Sequence, residues 1–205
     1  MLKVALLDAD CLHKLYLRGI LLWLADQGAY EPCWTKEILE ETVQSLVERF
    51  PSQEPRLRKQ INSIAVGFPE AEIVGYGDLV GTLNCPYPND EHVLAAAITR
   101  KAAKLVTMNV KDFPIDTKSK YEIEIVHPDD FLLELALENR KVFLAATGCW
   151  IAGYSRPKVS VEQMAQALTR TGCPKFAKIL LDESRTLERL IDSLASAENQ
   201  ESQGL

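Results

Sequence analysis

Lys3-Val4-Ala5-Leu6-Leu7-Asp8-Ala9-Asp10 opens the chain with an apolar run that stops on a carboxylate. A second run, Leu105-Val106-Thr107, is followed in the same way by Asn109 and Asp112. Short apolar runs without alternation are how strands buried on both faces read, and such strands belong to parallel sheets. In an open sheet of this kind, ligands bind beyond the carboxyl ends of the strands. Carboxylates delivered to that edge from distant parts of the chain point to a divalent cation.

Working outward, residues 30–34, 72–75 and 122–126 read as further strands beside 3–8 and 104–108. Helical patterns separate them, at 12–27, from Thr35 (an N-cap) to about residue 50, and at 56–66. Another runs from Asn89 or Asp90 to about residue 103. Pro128, with Asp129 and Asp130 behind it, starts a helix to about residue 139. Strands alternating with helices imply an α/β fold with parallel pairing. The remaining patterns, at 140–153, 161–171 and 175–194, are all helical, with Gly172-Cys173-Pro174 as a break and a polar, frayed tail from about residue 195. The expected organisation is an α/β domain over 1–140 and a helical extension over 141–205.

Composition narrows the function classes. With 205 residues, 47% hydrophobic and 25% charged, the chain has the balance of a soluble globular protein. No apolar run approaches the roughly 18 residues a spanning helix needs. Asp8 and Asp10 interrupt what would be the apolar core of a secretory signal, so a cytoplasmic location is expected. Five cysteines without a Cys-x-x-Cys pair fit neither a disulfide framework nor a structural zinc site. The net charge of −6 argues against a broad nucleic-acid-binding surface, although cations bound at carboxylates would offset part of it.

Magnesium and manganese take hard oxygen ligands and keep several waters, so a few carboxylates suffice. The candidate ligands are Asp8 after the first strand, Glu41 in the second helix, Asp90 at a helix start and Asp112 after the fourth strand. Asp10 and Asn109 stand beside them. Glu41 is preferred to Glu40 because it follows Ile38 by three positions, on the buried side. Any one of these acids alone could be a cap or a loop residue; their joint placement carries the reading. Two unit charges about 5 Å apart repel by roughly 3 kcal/mol at an effective dielectric of 20, so a converging set calls for a cation. His92 reads as structural, turned about 200° of helical rotation from Asp90. His127 reads as a loop residue, and His13 could line the cleft.

These motifs resemble a known family. Leu6-Leu7-Asp8-Ala9-Asp10, Glu37-Ile38-Leu39-Glu40-Glu41, Asn89-Asp90-Glu91-His92-Val93-Leu94-Ala95-Ala96-Ala97 and Val106-Thr107-Met108-Asn109-Val110-Lys111-Asp112-Phe113-Pro114 are similar to those of PIN-domain ribonucleases, most of all the VapC-type toxins of toxin–antitoxin pairs. The resemblance covers roughly residues 1–140. It implies a PIN-like α/β/α sandwich and Mg²⁺-dependent endoribonuclease activity, with Mn²⁺ able to substitute and products bearing a 5′-phosphate and a 3′-hydroxyl. It also implies a cognate antitoxin and a homodimer. Asp8, Glu41, Asp90 and Asp112 match the family's metal-site acids. Asp10 and Asn109 fall where a supporting role is implied, and Asn89 stands where relatives often carry a further acid.

Two other readings compete. Asp8-Ala9-Asp10 also resembles the opening of haloacid-dehalogenase-like phosphatases, but that chemistry leaves Glu41 and Asp90 without a role. A PIN-like binding module without catalysis would have little reason to keep four acids together. One further feature is a basic stretch: Arg156, Lys158, Arg170, Lys175 and Lys178 are set against Glu162 alone, which suits contact with phosphates or with an acidic antitoxin segment.

Overall fold

A computed structural model describes residues 2–83, 85–114, 116–154 and 157–203, from 198 on as backbone only. The chain begins with β1 (Val4–Leu7), a single helical turn α1 (Ala9–Leu12) and α2 (Leu15–Asp26). Next come β2 (Glu31–Cys33), α3 (Lys36–Arg49) and α4 (Glu54–Gly67), then α5 (Glu91–Arg100) and β3 (Lys104–Val106). A short α6 (Thr117–Tyr121) leads to β4 (Glu124–Val126), α7 (Pro128–Glu138), α8 (Arg140–Ala152), α9 (Val161–Arg170), α10 (Pro174–Asp182) and α11 (Ser184–Gln203).

The strands form one parallel sheet in the order β2-β1-β3-β4. Ala5, Leu6 and Leu7 are fully buried, as are Leu105 and Val106, which is why both runs are apolar without alternation. Pro32 lies in β2 at the sheet's edge, where its missing N–H costs no ladder bond. The chain steps from β1 to one side for β2 and to the other for β3. The carboxyl ends of β1 and β3 therefore flank the topological switch point, the usual ligand crevice of such sheets. The architecture is the α/β/α class with a parallel sheet and additional C-terminal helices, as expected from the sequence.

Two compact units divide the chain: residues 1–15 with 30–128, and residues 16–29 with 129–205. The first holds the sheet with α1, α3, α4, α5 and α6. The second is all helical. In it, Gly19 of α2 faces the Trp150 indole so closely that an added Cβ would lie 2.4 Å from Nε1. Tyr16 and Tyr154 have ring centroids 5.7 Å apart, and Phe143 meets Phe176 edge to face, also at 5.7 Å. Asp129, almost fully buried, accepts the backbone N–H groups of Lys175 and Phe176 and so caps α10 from α7. This grouping differs from a division near residue 140, because α2 and α7 go with the later helices.

Several elements differ from the sequence reading. Residues 72–75 make only one bridge, Trp34 to Glu72, rather than a strand. Ile73 is buried there but Val74 is 73% exposed, and Gly75 at φ +78° turns the chain away. The helix expected over 12–27 starts earlier and breaks after Leu12, giving α1 and α2. The one expected over 175–194 is two, parted at Glu183, whose carboxylate pairs with Arg140. The helix α11 continues to Gln203, past the point where fraying was expected, and residues 204–205 lie outside the described ones. Among the described residues, no helix is long and apolar enough to cross a membrane.

Candidate metal centre

Asp8 follows β1 directly. Its backbone N–H continues the ladder to the Val106 carbonyl at 3.1 Å, and its side chain caps α1 by accepting the Ala9 N–H at 2.7 Å. The cap fixes the carboxylate at the switch point while leaving it only 9% exposed. Burial first, then the charges of Asp10 and Asp90, push the Asp8 carboxyl up to about 7, against the opposing pull of bonds from Thr107 and Ala9. Asp90, at the start of α5, is also raised. Burial is again the largest cause, followed by the charges of Asp112, Glu41 and Asp10, with His92 pulling the other way. The four acids named from the sequence therefore share one electrostatic neighbourhood. Among the described residues, no lysine or arginine is ion-paired with Asp8, Asp90 or Asp112.

Asp10 is held rather than free. Its two oxygens accept the Met108 N–H at 3.1 and 2.9 Å, and one accepts the Thr107 hydroxyl at 3.0 Å. Thr107 Oγ1 in turn accepts the Asn109 N–H at 3.1 Å. This chain of bonds ties the turn after β1 to the turn after β3 across the switch point. Asn109 itself is exposed and precedes a 3-10 turn, Val110–Asp112, that carries the half-buried Asp112.

Glu41 comes from α3, whose start is fixed by Thr35: its hydroxyl accepts the Ile38 N–H at 3.0 Å. Glu41 Oε1 lies 3.1 Å from His92 Nε2, and Glu37 Oε2 lies 3.5 Å from His92 Nδ1. Burial alone would lower the His92 pKa, but the bond and charge of Glu41, with Glu37 behind them, carry it above the ordinary histidine value. His92 is thus turned toward the acidic group, contrary to the rotation argument made from the sequence. Pro88–Asp90 is a 3-10 turn, so the helical count of 100° per residue does not apply from Asp90 to His92.

Sequence reasoning also passed over Glu37, Thr107 and Glu91. Glu37 had a signal, since it precedes Glu41 by four and shares its face. Thr107 had none, because its work is done by one hydroxyl at a strand end. Glu91, 7% exposed, accepts the backbone N–H groups of Gly81, at 2.8 Å, and Leu83. It anchors the loop that leads to Asp90. Of the basic stretch, Lys175 is already paired with Asp130, and Arg156 lies outside the described residues.

A buried carboxylate with two acidic neighbours, on the edge where parallel strands end, is an arrangement suited to a divalent cation. Comparison with known proteins narrows it. Residues 128–182 match the family described as VapC50 C-terminal domain. The chain is also 47% identical over 111 residues to a Mycobacterium tuberculosis (strain ATCC 25618 / H37Rv) protein named "Putative ribonuclease VapC50". That match spans 54% of this chain and 64% of the relative, a little under two thirds of its length. No solved structure matches the chain. Part of the chain is thus similar to a VapC-type ribonuclease, and residues 128–182 are similar to the C-terminal domain of VapC50.

Proposed function

We propose that this chain is a metal-dependent endoribonuclease that hydrolyses RNA phosphodiester bonds and serves as the toxin of a toxin–antitoxin pair. The observation that carries the reading is Asp8, a nearly buried carboxylate beside Asp10 and Asp90. A divalent cation, Mg²⁺ or Mn²⁺, is the partner whose charge such a group lacks, and the oxygen-rich donor set suits it. Asp8 and Asp90 would be the principal ligands, with Glu41 and Asp112 completing the set. When bound, the cation supplies a more acidic water and charge compensation at the phosphodiester oxygens.

The chain's own residues hold this arrangement in place. Asp10, Thr107 and the Met108 N–H lock the two strand ends together, so that Asp8 and the 109–112 turn keep a fixed separation. His92 restrains Glu41 through Nε2, and Glu91 fixes the loop before Asp90. Asn109, exposed on the turn after β3, would support the acids from beside them. No serine, cysteine or histidine nucleophile is needed.

The VapC50 relationship supports a cognate antitoxin as partner. A homodimer, a cytoplasmic location and a role for residues 141–205 in holding RNA or antitoxin belong to the same proposal. The direct test is Asp8→Asn and Asp90→Asn in purified full-length chain. Mg²⁺-dependent RNA cleavage should fall at least about 100-fold while the circular-dichroism spectrum stays unchanged. Parent-level cleavage by either variant refutes the assignment.

A further inference from the structure

Glu37, Glu41 and His92 form a second group beside the acidic quartet, and their ligand atoms all lie within 4.8 Å of one another. The two glutamates are four apart on α3, which puts them on one face, and His92 reaches them from the first turn of α5. Three features of the group are those of a coordination site.

The His92 side chain is 9% exposed, and its Nδ1 has no hydrogen-bond partner. Leaving such an atom buried and unsatisfied costs about 1–3 kcal/mol. Glu37 Oε2 faces it from 3.5 Å, beyond the ordinary hydrogen-bond range. Two ligands bound tetrahedrally at about 2.1 Å stand about 3.4 Å apart, which is this spacing.

The other ring nitrogen, Nε2, is 3.1 Å from Glu41. Metal-bound histidines characteristically commit their second nitrogen to a carboxylate, which sets the tautomer and aims the ring. Glu37 is itself oriented, since the Tyr76 hydroxyl donates to its Oε2 at 3.1 Å. An exposed carboxylate on a solvated helix face has no need of that restraint.

We propose that His92 Nδ1 and Glu37 form a mixed nitrogen–oxygen cation site, with Glu41 holding the ring through Nε2, that takes Mn²⁺ or Zn²⁺ in preference to Mg²⁺. Imidazole favours the transition ions, while magnesium holds to oxygen ligands. Glu41, which orients the ring here, also belongs to the proposed nuclease centre; the site otherwise stands independently of whether the chain cleaves RNA. Because Glu41 serves both groups, a transition ion held at His92 sets which way that carboxylate turns.

The test uses full-length chain loaded with Mn²⁺ and pulsed electron paramagnetic resonance, which registers a directly bound nitrogen as ¹⁴N modulation. The parent and Asp8→Asn should both show it, and His92→Gln should not. Calorimetric titration should show Mn²⁺ affinity for one class of site at least about tenfold weaker in His92→Gln and in Glu37→Gln. Glu37 is exposed, so its variant reports even if His92→Gln misfolds. A parent without ¹⁴N modulation at saturating Mn²⁺, or modulation that persists in His92→Gln, overturns the proposal. RNA cleavage assayed in parallel separates the two readings: modulation without cleavage refutes the nuclease and leaves the cation site standing. Cleavage without modulation does the reverse.

Discussion

Replacing Asp8 by Asn should make the metal-free protein more stable, and by an amount that depends on pH. The Asp8 carboxyl rises from 3.8 to about 7 in the folded chain. At about 1.4 kcal/mol per pH unit, holding it ionised in the folded state costs up to about 4 kcal/mol above pH 7. The sign follows from proton linkage. Between about pH 4 and 7 the folded state binds the Asp8 proton more tightly than the unfolded state does, so stability falls as pH rises through that window. It then levels off once both states are ionised. An Asn at this position keeps an acceptor for the Ala9 N–H and never ionises. Urea unfolding in chelator, followed by tryptophan fluorescence at pH 5, 6, 7 and 8, should show parent and variant drawing apart as pH rises, with the variant ahead at pH 8. Millimolar Mn²⁺ should reverse the order at pH 8, because a cation at the Asp8 centre stabilises the parent far more than the variant, while one held at His92 adds equally to both. A difference that is the same at every pH, or a parent indifferent to Mn²⁺, would mean that Asp8 is not the strained carboxylate described above.

Three further outcomes follow from side chains around and away from the site. Thr107→Val removes the hydroxyl that joins Asp10 to the Asn109 N–H; it should cost about 1–3 kcal/mol in urea unfolding and lower cleavage, and full activity would show that the clasp is dispensable. Glu91→Ala strands the Gly81 and Leu83 N–H groups, so limited proteolysis should open the 77–90 loop well before the parent's, and an unchanged digestion pattern counts against the anchor. Gly19→Ala puts a methyl 2.4 Å from the Trp150 indole nitrogen; overpacking of about 1–3 kcal/mol should lower Tm by several degrees, while an unaltered Tm would mean the helices can part freely.

Much of the sheet was legible because its signal is local. Val4 to Leu7 and Lys104 to Val106 are short, apolar and buried, and each runs into polar residues at its carboxyl end. The acids at those ends could be named because their spacing matched a known family and their chemistry made sense together. Residues 72–75 misled because one bridge and a buried Ile73 resemble a strand when only composition is read. The helix breaks at Leu12 and Glu183 carry no Gly or Pro, so nothing in the spacing announces them. His92 and Thr107 escaped for another reason. Their partners, Glu41 and Asp10, are brought to them by tertiary packing, and such pairings leave no periodic trace.

The placement of α2 bears on how the molecule is made. Residues 16–29 belong to the unit completed by 129–205, so the 99 residues 30–128 lie between the two parts of that unit. During synthesis α2 therefore emerges with Leu17, Ile20, Leu21 and Leu24, which are all buried at the end, long before Trp150 and its neighbours exist to meet it. Closing so long a loop is entropically slow, and unpaired apolar surface in the interval invites aggregation. A nascent chain stalled near residue 128 would hold every carboxylate of the proposed centre while Trp150, which α2 meets at Gly19, was still to be made. For a chain proposed to be a toxin, that delay sets an interval after translation of the acids in which the protein is still unfinished.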